Sequence, residues 1–361
     1  GPGCHIARDA TTPWILGCDS FDPDEYDDVE DLPEICLDPD AQTLSVLNAH
    51  ADGETRVCYI TLYSTKASGK NGVELTQGTT TDVHGTSKTC ITFIVCCATM
   101  TIMHLCHLHV PEGESILDVS LDSDVQPWNR HDNADDEHAM PVGFPLLCHN
   151  NNVDQNDHNC MDETEGQATE DQYLCTQGEG GELTHFFSGN LHAIDFRCSI
   201  GTPLLAVADG IVCDVRDQNN LTGVGVSNLF QWNSILLELD VDDESRYTGE
   251  VVDANNNGGG KKQNYVQGGP LFVEYVHMAK DSALVKEGDR VKRGQMIGKS
   301  GSVGFSPEPH LHFAAYRSRD PTASTVRVRF HEGTNTPFLP TAGNYYNISG
   351  IAKQDGLSTG R

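Results

Sequence analysis

Short runs of alternating apolar and polar residues recur along the chain, separated by clusters rich in Gly, Asn and Asp. Successive side chains of a β-strand point to opposite faces, so this alternation is typical of half-buried strands. Longer stretches with the periodicity of a helix are hard to find. The pattern therefore predicts a mostly β protein with many tight turns.

The first half of the chain carries this pattern from residue 41 to about 120. Residues 55–63 and 116–121 alternate and are predicted as strands, with a turn signal at 69–72. The most apolar run, residues 90–103, is shorter than the roughly 20 apolar residues that span a bilayer. We therefore expect one or two buried strands there, in an accessory domain that resembles a β-sandwich of immunoglobulin type.

The second half alternates short strands with glycine-rich turns. Strands are predicted at 234–239 and 271–278, and a polar insertion rich in Gly and Asn (240–267) separates them. Further on, a Gly/Ser-rich run leads into His310 and His312. Because residues i and i+2 of a strand share a face, both rings would project into one site. A metal ligand beside a proton-transfer group needs that arrangement.

The length of the chain and its sequence pattern predict how it is divided into domains. A chain of 361 residues is expected to form two domains. In order, the predicted segments are an acidic irregular N-terminal segment (1–40), a β-rich accessory domain (41–145), a linker or loop (146–170), a second, antiparallel β domain (171–345) and a tail (346–361).

The chain is strongly acidic, with a formal net charge of −30 at pH 7. Such a charge repels nucleic acid and anionic membrane surfaces, which are themselves negative. We therefore expect no nucleic-acid partner and no stable membrane insertion. The charge does not indicate a catalytic chemistry, and the oligomeric state is left open.

Cysteine content bears on the compartment. Thirteen cysteines are many for a reduced cytosolic protein of this size, so we predict disulfide bonds formed in an oxidising compartment. Two glycosylation sequons, at 220–222 and 347–349, are compatible with a secretory route. The expected location is secreted or extracellular, with the periplasm and the cell surface as alternatives.

One cluster of potential metal ligands lies in the predicted accessory domain. It consists of His104, Cys106, His107 and His109. Strict alternation would place the first two on one face of a strand and the last two on the other, so one strand cannot bring all four together. We therefore favour strand-end histidines and a disulfide cysteine over a zinc site.

Seven pieces of the second domain, in chain order, resemble the lysostaphin-type, LytM-like zinc metallopeptidases, which are peptidoglycan endopeptidases. They are Thr184–His185, Ala193–Phe196, Gly201–Pro203, Ala208–Gly210, Tyr275–His277, Gly288–Gly298 and Pro309–Phe313. Each piece alone is weakly specific, but their order makes the combination specific. The resemblance covers residues 172–316 and implies that the second domain is a LytM-like metallopeptidase domain.

The resemblance implies a role for five side chains. His185, Asp195 and His312 would bind one zinc ion per chain, and His277 and His310 would be the catalytic histidines. Catalytic zinc commonly keeps three protein ligands and an open position for water, whose pKa it lowers to about 7. One histidine could take the proton of that water, and the other could stabilise the oxyanion. Which histidine does which is left open.

The first zinc ligand has two candidates. In the commoner form of the motif the first histidine stands four residues before the aspartate, where this chain has Leu191. A longer variant has a Ser/Thr-His well upstream, which His185 matches. His192 lies three residues before Asp195 and would face the opposite side of a regular strand. His185 is therefore preferred, and His192 is expected to be a surface or packing histidine.

Three functions compete. The first is a secreted zinc metalloendopeptidase that cuts stem peptides or cross-bridges of peptidoglycan, with glycine-containing bonds suggested by the resemblance. The alternative is a non-hydrolytic zinc-binding module with a regulatory or adhesion role, which the five filled positions disfavour. A biotinyl or lipoyl carrier would need a modifiable lysine flanked by methionine at a hairpin tip, and the sequence has none.

Overall fold

The computed structural model describes residues 3–8, 11–22, 24, 34–82, 84–127, 140–148, 172–181, 183–186, 189–240, 248–251, 263–266, 270–320, 323–331 and 336–354. Regular structure in these ranges is almost entirely β-strand, which confirms the predicted mostly β class. The short 3-10 helices are Lys70–Gly72, Ile116–Asp118 and Val226–Asn228. Within the same ranges no helix has the length and apolar character required to cross a membrane.

The chain divides into two compact units. The first comprises Gly1–Arg130, Gln218–Asn233 and Gly301–His310, and the second comprises the remaining three segments, His131–Asp217, Ser234–Ser300 and Leu311–Arg361. Each unit has its own apolar core. The segments 218–233 and 301–310 pack in the first unit, although the sequence places them within the second predicted domain. The predicted domain boundaries remain predictions.

Ten strands of the described residues belong to the first unit. They are β1 (Cys4–Ala7), β2 (Gly17–Ser20), β3 (Ile35–Asp38), β4 (Thr43–Asn48), β5 (Arg56–Tyr63), β6 (Lys66–Ser68), β7 (Gly78–Thr81), β8 (Ser87–Cys97), β9 (Thr101–His109) and β10 (Leu121–Pro127). One sheet has the order β1-β8-β5-β10 with β7 beside β8, and the other has the order β2-β9-β4-β3 with β6 beside β9. Alternate apolar side chains of both sheets, such as Ile60, Phe93, Val46 and Leu105, enter one core, as in a sandwich.

Two local predictions for this unit are wrong, and one is right. Residues 1–40 are not irregular throughout, because β1, β2 and β3 pair with longer strands of the two sheets. Residues 116–121 begin with a 3-10 turn instead of a strand, since the Ser115 hydroxyl accepts a hydrogen bond from the Leu117 N–H. The apolar run 90–103 does form buried strands, within β8 and β9. Most of the acidic run at 21–33 lies outside the described residues.

The predicted disulfide framework is not seen among the described residues. Of the twelve cysteines within these ranges, nine are buried. Most lie on strands and pack into the two cores, where a free cysteine acts as a small apolar side chain. The high cysteine content is therefore explained by packing in this part of the chain.

The ligand-rich run at the end of β9 forms no metal cluster among the described residues. A β-bulge at Leu105 interrupts the pairing with β4 and leaves both Leu105 and Cys106 buried. The His104 ring instead lies between the Ser45 hydroxyl and the Asp19 carboxylate, each at 3.0 Å. The choice against a zinc site here stays a prediction, and the bulge breaks the alternation on which it was based.

The other fifteen strands within the described ranges lie in the second unit. They are β11 (Met140–Val142), β12 (Tyr173–Gln177), β13 (Ile194–Arg197), β14 (Pro203–Leu205), β15 (Gly210–Arg216), β16 (Ser234–Leu239), β17 (Thr248–Val251), β18 (Gln263–Val266), β19 (Leu271–Val276), β20 (Arg290–Val291), β21 (Met296–Lys299), β22 (His310–Tyr316), β23 (Val328–Phe330), β24 (Asn344–Asn347) and β25 (Gly350–Gln354). Nine of them form one sheet in the order β20-β15-β16-β19-β22-β13-β12-β24-β25. The pairs β11-β23, β14-β21 and β17-β18 complete the unit.

The core of the second unit draws on residues from outside the segment with family resemblance. Val142, Phe144 and Leu146 are buried in it, although the sequence assigns residues 140–148 to the accessory domain and the linker. The described parts of the polar insertion at 240–267 form the antiparallel pair β17-β18. The rest of the insertion and most of the predicted linker lie outside the described residues.

Candidate metal centre and catalytic histidines

Alternation along two neighbouring strands explains why three polar side chains meet. In β22, Leu311, Phe313 and Ala315 enter the core, so His312 leaves the opposite face. In the adjacent β13, Ile194 and Phe196 enter the core and Asp195 takes the opposite face. The apolar residues thus fix the register of both strands and place the two polar side chains side by side.

His185 approaches this pair from the segment after β12. Its Nε2 lies 3.2 Å from Asp195 Oδ1 and 3.2 Å from His312 Nδ1. The third distance, from His312 Nδ1 to Asp195 Oδ1, is 2.9 Å. The exposed fraction is 0% for His185, 4% for Asp195 and 7% for His312, so all three residues are buried. They form the one group of three or more potential ligands found among the described residues.

The donor set and its geometry fit a zinc ion. Zinc binds His nitrogen and carboxylate oxygen at about 2.0–2.2 Å, so two ligand atoms on a tetrahedral edge stand about 3.3–3.5 Å apart. The three observed separations between ligand atoms differ from this edge length by at most about 0.6 Å. The His185 Nδ1–H donates to the Gly178 carbonyl at 3.0 Å, and since a carbonyl can only accept, the lone pair is left on Nε2.

His192 lies apart from this cluster. Its ring is buried, and Nδ1 forms an ion pair with the Glu179 carboxylate. The same carboxylate accepts from the Arg327 guanidinium, whose Nε is 2.8 Å away. Burial favours the neutral form of Glu179, but hydrogen bonds from His192 and Arg327 outweigh it and hold the pKa of the carboxyl below its ordinary value of 4.5. The structure therefore brings His185, not His192, to Asp195.

His310 begins β22, two residues before His312, and is buried. Its Nδ1–H donates to the Glu308 carbonyl at 2.7 Å. The Ser306 hydroxyl lies 3.2 Å from the same nitrogen and donates to the same carbonyl. In the neutral ring this leaves the lone pair on Nε2, which is the atom that could accept a proton.

His277 directly follows β19, whose last residue, Val276, pairs with His312. The His277 ring is buried, and its centroid lies 6.0 Å from that of His312. Its φ angle of 65° is in the left-handed region, which residues other than glycine rarely adopt. Such strain persists where surrounding structure enforces it, and it is a common feature of functional sites.

Cys175 lies on β12 opposite Phe196, the residue that follows Asp195. Burial, and secondarily the Asp195 carboxylate, raises the pKa of Cys175 far above its ordinary value of 9.0. The side chain therefore remains a thiol at neutral pH. A buried thiol of this kind is not an activated nucleophile.

Gln177 is a site residue that the sequence reasoning missed. Strict alternation would place it on the core face with Tyr173 and Cys175, as a buried polar side chain without a role. A β-bulge between Cys175 and Gln177 shifts the register and sets Gln177 opposite Asp195. The sequence carried no local signal for this role, because the bulge is visible only from the pairing of β12 with β13.

Comparison with known proteins now identifies the class. Residues 244–324 match the profile of the family described as peptidase family M23, and this range contains His277, His310 and His312. The chain therefore contains a peptidase family M23 domain, which confirms the lysostaphin-type resemblance. The matched range begins after His185 and Asp195 in the sequence.

Two curated relatives are named as endopeptidases. Glycyl-glycine endopeptidase ALE-1 of Staphylococcus capitis is 29% identical over 179 residues, which are 48% of this chain and 35% of that protein. Peptidoglycan DD-endopeptidase ShyA of Vibrio cholerae is 39% identical over 141 residues, which are 37% of this chain and 24% of that protein. The chain thus spans about a third or less of the length of these relatives.

A solved structure is also similar. The catalytic domain of the antimicrobial peptidase lysostaphin from Staphylococcus simulans is 26% identical in sequence. The match covers 43% of this chain and 86% of that domain, with a TM-score of 0.25.

Proposed function

We propose that this protein is a zinc-dependent endopeptidase that hydrolyses peptide bonds of peptidoglycan, in stem peptides or in cross-bridges. The observation that carries the proposal is the buried cluster of His185, Asp195 and His312, with ligand atoms 2.9–3.2 Å apart, in a chain with an M23 domain. The names of the relatives, a glycyl-glycine endopeptidase and a DD-endopeptidase, support a wall peptide as the substrate. Glycine-containing bonds are the first class to test.

The proposed metal site needs an ion that accepts two imidazole nitrogens and one carboxylate oxygen as protein ligands and leaves a fourth position open. Zinc meets this requirement and, when bound with an open position, supplies a Lewis acid for a water and for the scissile carbonyl. His185 would bind through Nε2, because its Nδ1–H is occupied by the Gly178 carbonyl. His312 would bind through Nδ1, the atom that faces Asp195.

The two remaining histidines would move or hold protons during hydrolysis. His310 keeps its Nδ1–H on the Glu308 carbonyl, so its Nε2 is suited to take a proton from the attacking water and pass it to the leaving amine. His277 would donate a hydrogen bond to the oxyanion that forms at the cleaved carbonyl. Its ring contact with His312 supports a position beside the metal site.

The proposed substrate also fixes where the protein would act. Peptidoglycan lies outside the cytoplasmic membrane, so the protein would be secreted, periplasmic or held at the cell surface. With a net charge of −30, the chain has no general attraction to an anionic wall. Recognition would therefore depend on contacts with the peptide more than on long-range electrostatic attraction.

The experiment uses zinc-loaded protein, purified peptidoglycan and short peptides that contain consecutive glycines, with products identified by mass spectrometry. The wild type should cleave an internal peptide bond, and His310→Ala should cleave at least about 100-fold more slowly while still binding zinc. His107→Ala, which alters an exposed histidine of β9, is the matched control and should cleave as the wild type does. If zinc-loaded wild type cleaves neither substrate, the proposal is wrong and a non-hydrolytic zinc-binding module remains.

A further inference from the structure

We propose that Gln177 is a positioning residue of the metal centre and that it sets the zinc affinity by holding two ligands at once. The inference rests on the metal-binding part of the proposed function and does not require that hydrolysis occurs. Gln177 ends β12 and is 7% exposed. It touches Asp195 directly and reaches His185 through the intervening backbone.

The four hydrogen bonds of the Gln177 amide define its orientation. Its Oε1 accepts from the backbone N–H groups of Leu183 and Thr184, at 3.0 and 2.9 Å. Since a backbone N–H can only donate, these two bonds identify the oxygen, and Nε2 must lie on the other side. Nε2 donates to Asp195 Oδ2 at 2.7 Å and to the Thr184 hydroxyl at 3.1 Å. Both donors and both acceptor positions of the amide are therefore used.

The first consequence concerns Asp195. Gln177 holds Oδ2, while Oδ1 faces His185 and His312. A hydrogen bond to a carboxylate is stronger than one between neutral groups, and it fixes the rotation of the carboxylate plane. Asp195 is thereby restricted to presenting one oxygen to the metal position.

The second consequence concerns His185. The Thr184 N–H and hydroxyl, directly before it, are both bonded to Gln177. The Nδ1–H of His185 is bonded to the carbonyl of Gly178, the residue directly after Gln177. The backbone that carries His185 and the group that orients its ring thus both depend on the Gln177–Gly178 pair. Without the Gln177 side chain, two of the three ligands would lose their fixed positions together.

Gly181 supplies an independent observation. A Cβ at Gly181 would lie 2.7 Å from Gln177 Cγ and 3.0 Å from Gln177 Oε1. Real Cβ atoms do not approach other atoms as closely as the first distance. The backbone φ at Gly181 lies outside the left-handed region, so alanine would add only a methyl group there. The turn therefore has space for the Gln177 side chain because residue 181 has no side chain.

The test separates positioning of ligands from general stability. Gln177→Met keeps the length of the side chain but removes all four hydrogen bonds. Tyr173→Phe, a change on the same strand β12, is the matched control. It removes the 2.6 Å hydrogen bond from the Tyr173 hydroxyl to the Leu147 carbonyl but leaves residues 177–185 unchanged. Zinc dissociation constants would be measured by competition with a chromophoric chelator on protein shown to be folded. Absorption spectra of the cobalt-substituted proteins would report the ligand geometry.

We expect the zinc dissociation constant of Gln177→Met to rise about 10- to 100-fold, with an altered cobalt spectrum, while Tyr173→Phe stays at the wild-type value. Hydrolysis by Gln177→Met, if the wild type cleaves, should recover as zinc is raised above the new dissociation constant. Should Gln177→Met not fold, Gly181→Ala replaces it and should weaken zinc binding in the same direction.

Zinc affinity within about twofold of the wild type in the folded variant would overturn the role of Gln177 whether or not the protein is a peptidase. A wild type that binds zinc but cleaves no peptide would overturn the proposed function and leave the role of Gln177 standing. A wild type that binds no zinc would overturn both.

Discussion

His185 Nε2 lies 3.2 Å from Asp195 Oδ1, although ten positions separate the two residues in the sequence. His192, only three positions from Asp195, instead forms an ion pair with Glu179. The turn after β12 carries His185 to Asp195, whereas the His192 ring lies against the half-buried Glu179 carboxylate. The backbone path between β12 and β13 therefore determines which histidine lies beside Asp195.

This choice can be tested by metal binding alone. His185→Ala should lose most zinc affinity, because it removes one of three protein ligands. His192→Ala should bind zinc as the wild type does but unfold at lower denaturant concentration, since it leaves Glu179 with one partner fewer in a buried setting. Zinc content after dialysis and a urea titration measure the two effects. Loss of zinc in His192→Ala with retention in His185→Ala would reverse the assignment.

Two substitutions of His277 separate the effect of its backbone strain on stability from the role of its imidazole in catalysis. Its φ of 65° costs a non-glycine residue about 1–2 kcal/mol, so His277→Gly should be more stable than His277→Ala by about 1 kcal/mol. Both variants should bind zinc and cleave peptides at least about 100-fold more slowly than the wild type, because both lack the imidazole. Urea unfolding and initial rates test this. Equal stability of the two variants would argue against strain, and wild-type rates would argue against a catalytic role.

Glu179 should make the stability of the metal-free protein depend on pH. Hydrogen bonds from His192 and Arg327 outweigh the effect of burial and lower its pKa below the ordinary 4.5. A group with a lowered folded-state pKa stabilises the fold above its unfolded pKa, and that contribution is lost as pH falls through the folded value. Glu179→Gln should therefore cost more stability near pH 6 than near about pH 3.5. Urea titrations in the presence of a chelator measure the two differences, and an equal cost at both pH values would contradict the shift.

Thr92 connects β8 to the segment 218–233 within the first unit. Its hydroxyl donates to the Val224 carbonyl, and the neighbouring Thr61 hydroxyl accepts from the Val226 N–H at 2.9 Å. Both threonines are 0% exposed, so Thr92→Val, which keeps the shape, leaves a buried carbonyl without this donor. The expected loss is about 1–3 kcal/mol of unfolding free energy.

Thr89→Val, at an exposed position of the same strand, is the matched control for that variant and should change stability by less than about 0.5 kcal/mol. Similar unfolding midpoints for the two variants would indicate that the bond to Val224 contributes little.

The strands of the second unit were predictable where apolar residues alternate without interruption. Ser234–Leu239 is β16 with its predicted bounds, and the His-x-His pair lies on β22 as expected. The register of β22 follows from Leu311 and Phe313, which must enter the core. Because this rule depends only on neighbouring residues, it could be applied to the sequence directly.

Other features depend on contacts between distant residues and had no local signal. The bulge in β12 that turns Gln177 toward Asp195 is visible only from the pairing with β13. The first unit includes the segments 218–233 and 301–310, because their partners lie on strands of the sandwich, as Thr92 illustrates. The cysteines were interpreted from their number, whereas their burial in the two cores is a tertiary property.

In the proposed function, peptide hydrolysis requires one zinc ion held by His185, Asp195 and His312. The most direct measurement removes metal with a chelator and then follows cleavage of a glycine-containing cross-bridge peptide as zinc is returned in steps. We expect no cleavage without metal and a rise in rate that saturates at one equivalent of zinc per chain, with no recovery in His185→Ala at that dose. Cleavage that persists in the metal-free protein, or that recovers equally in His185→Ala, would contradict it.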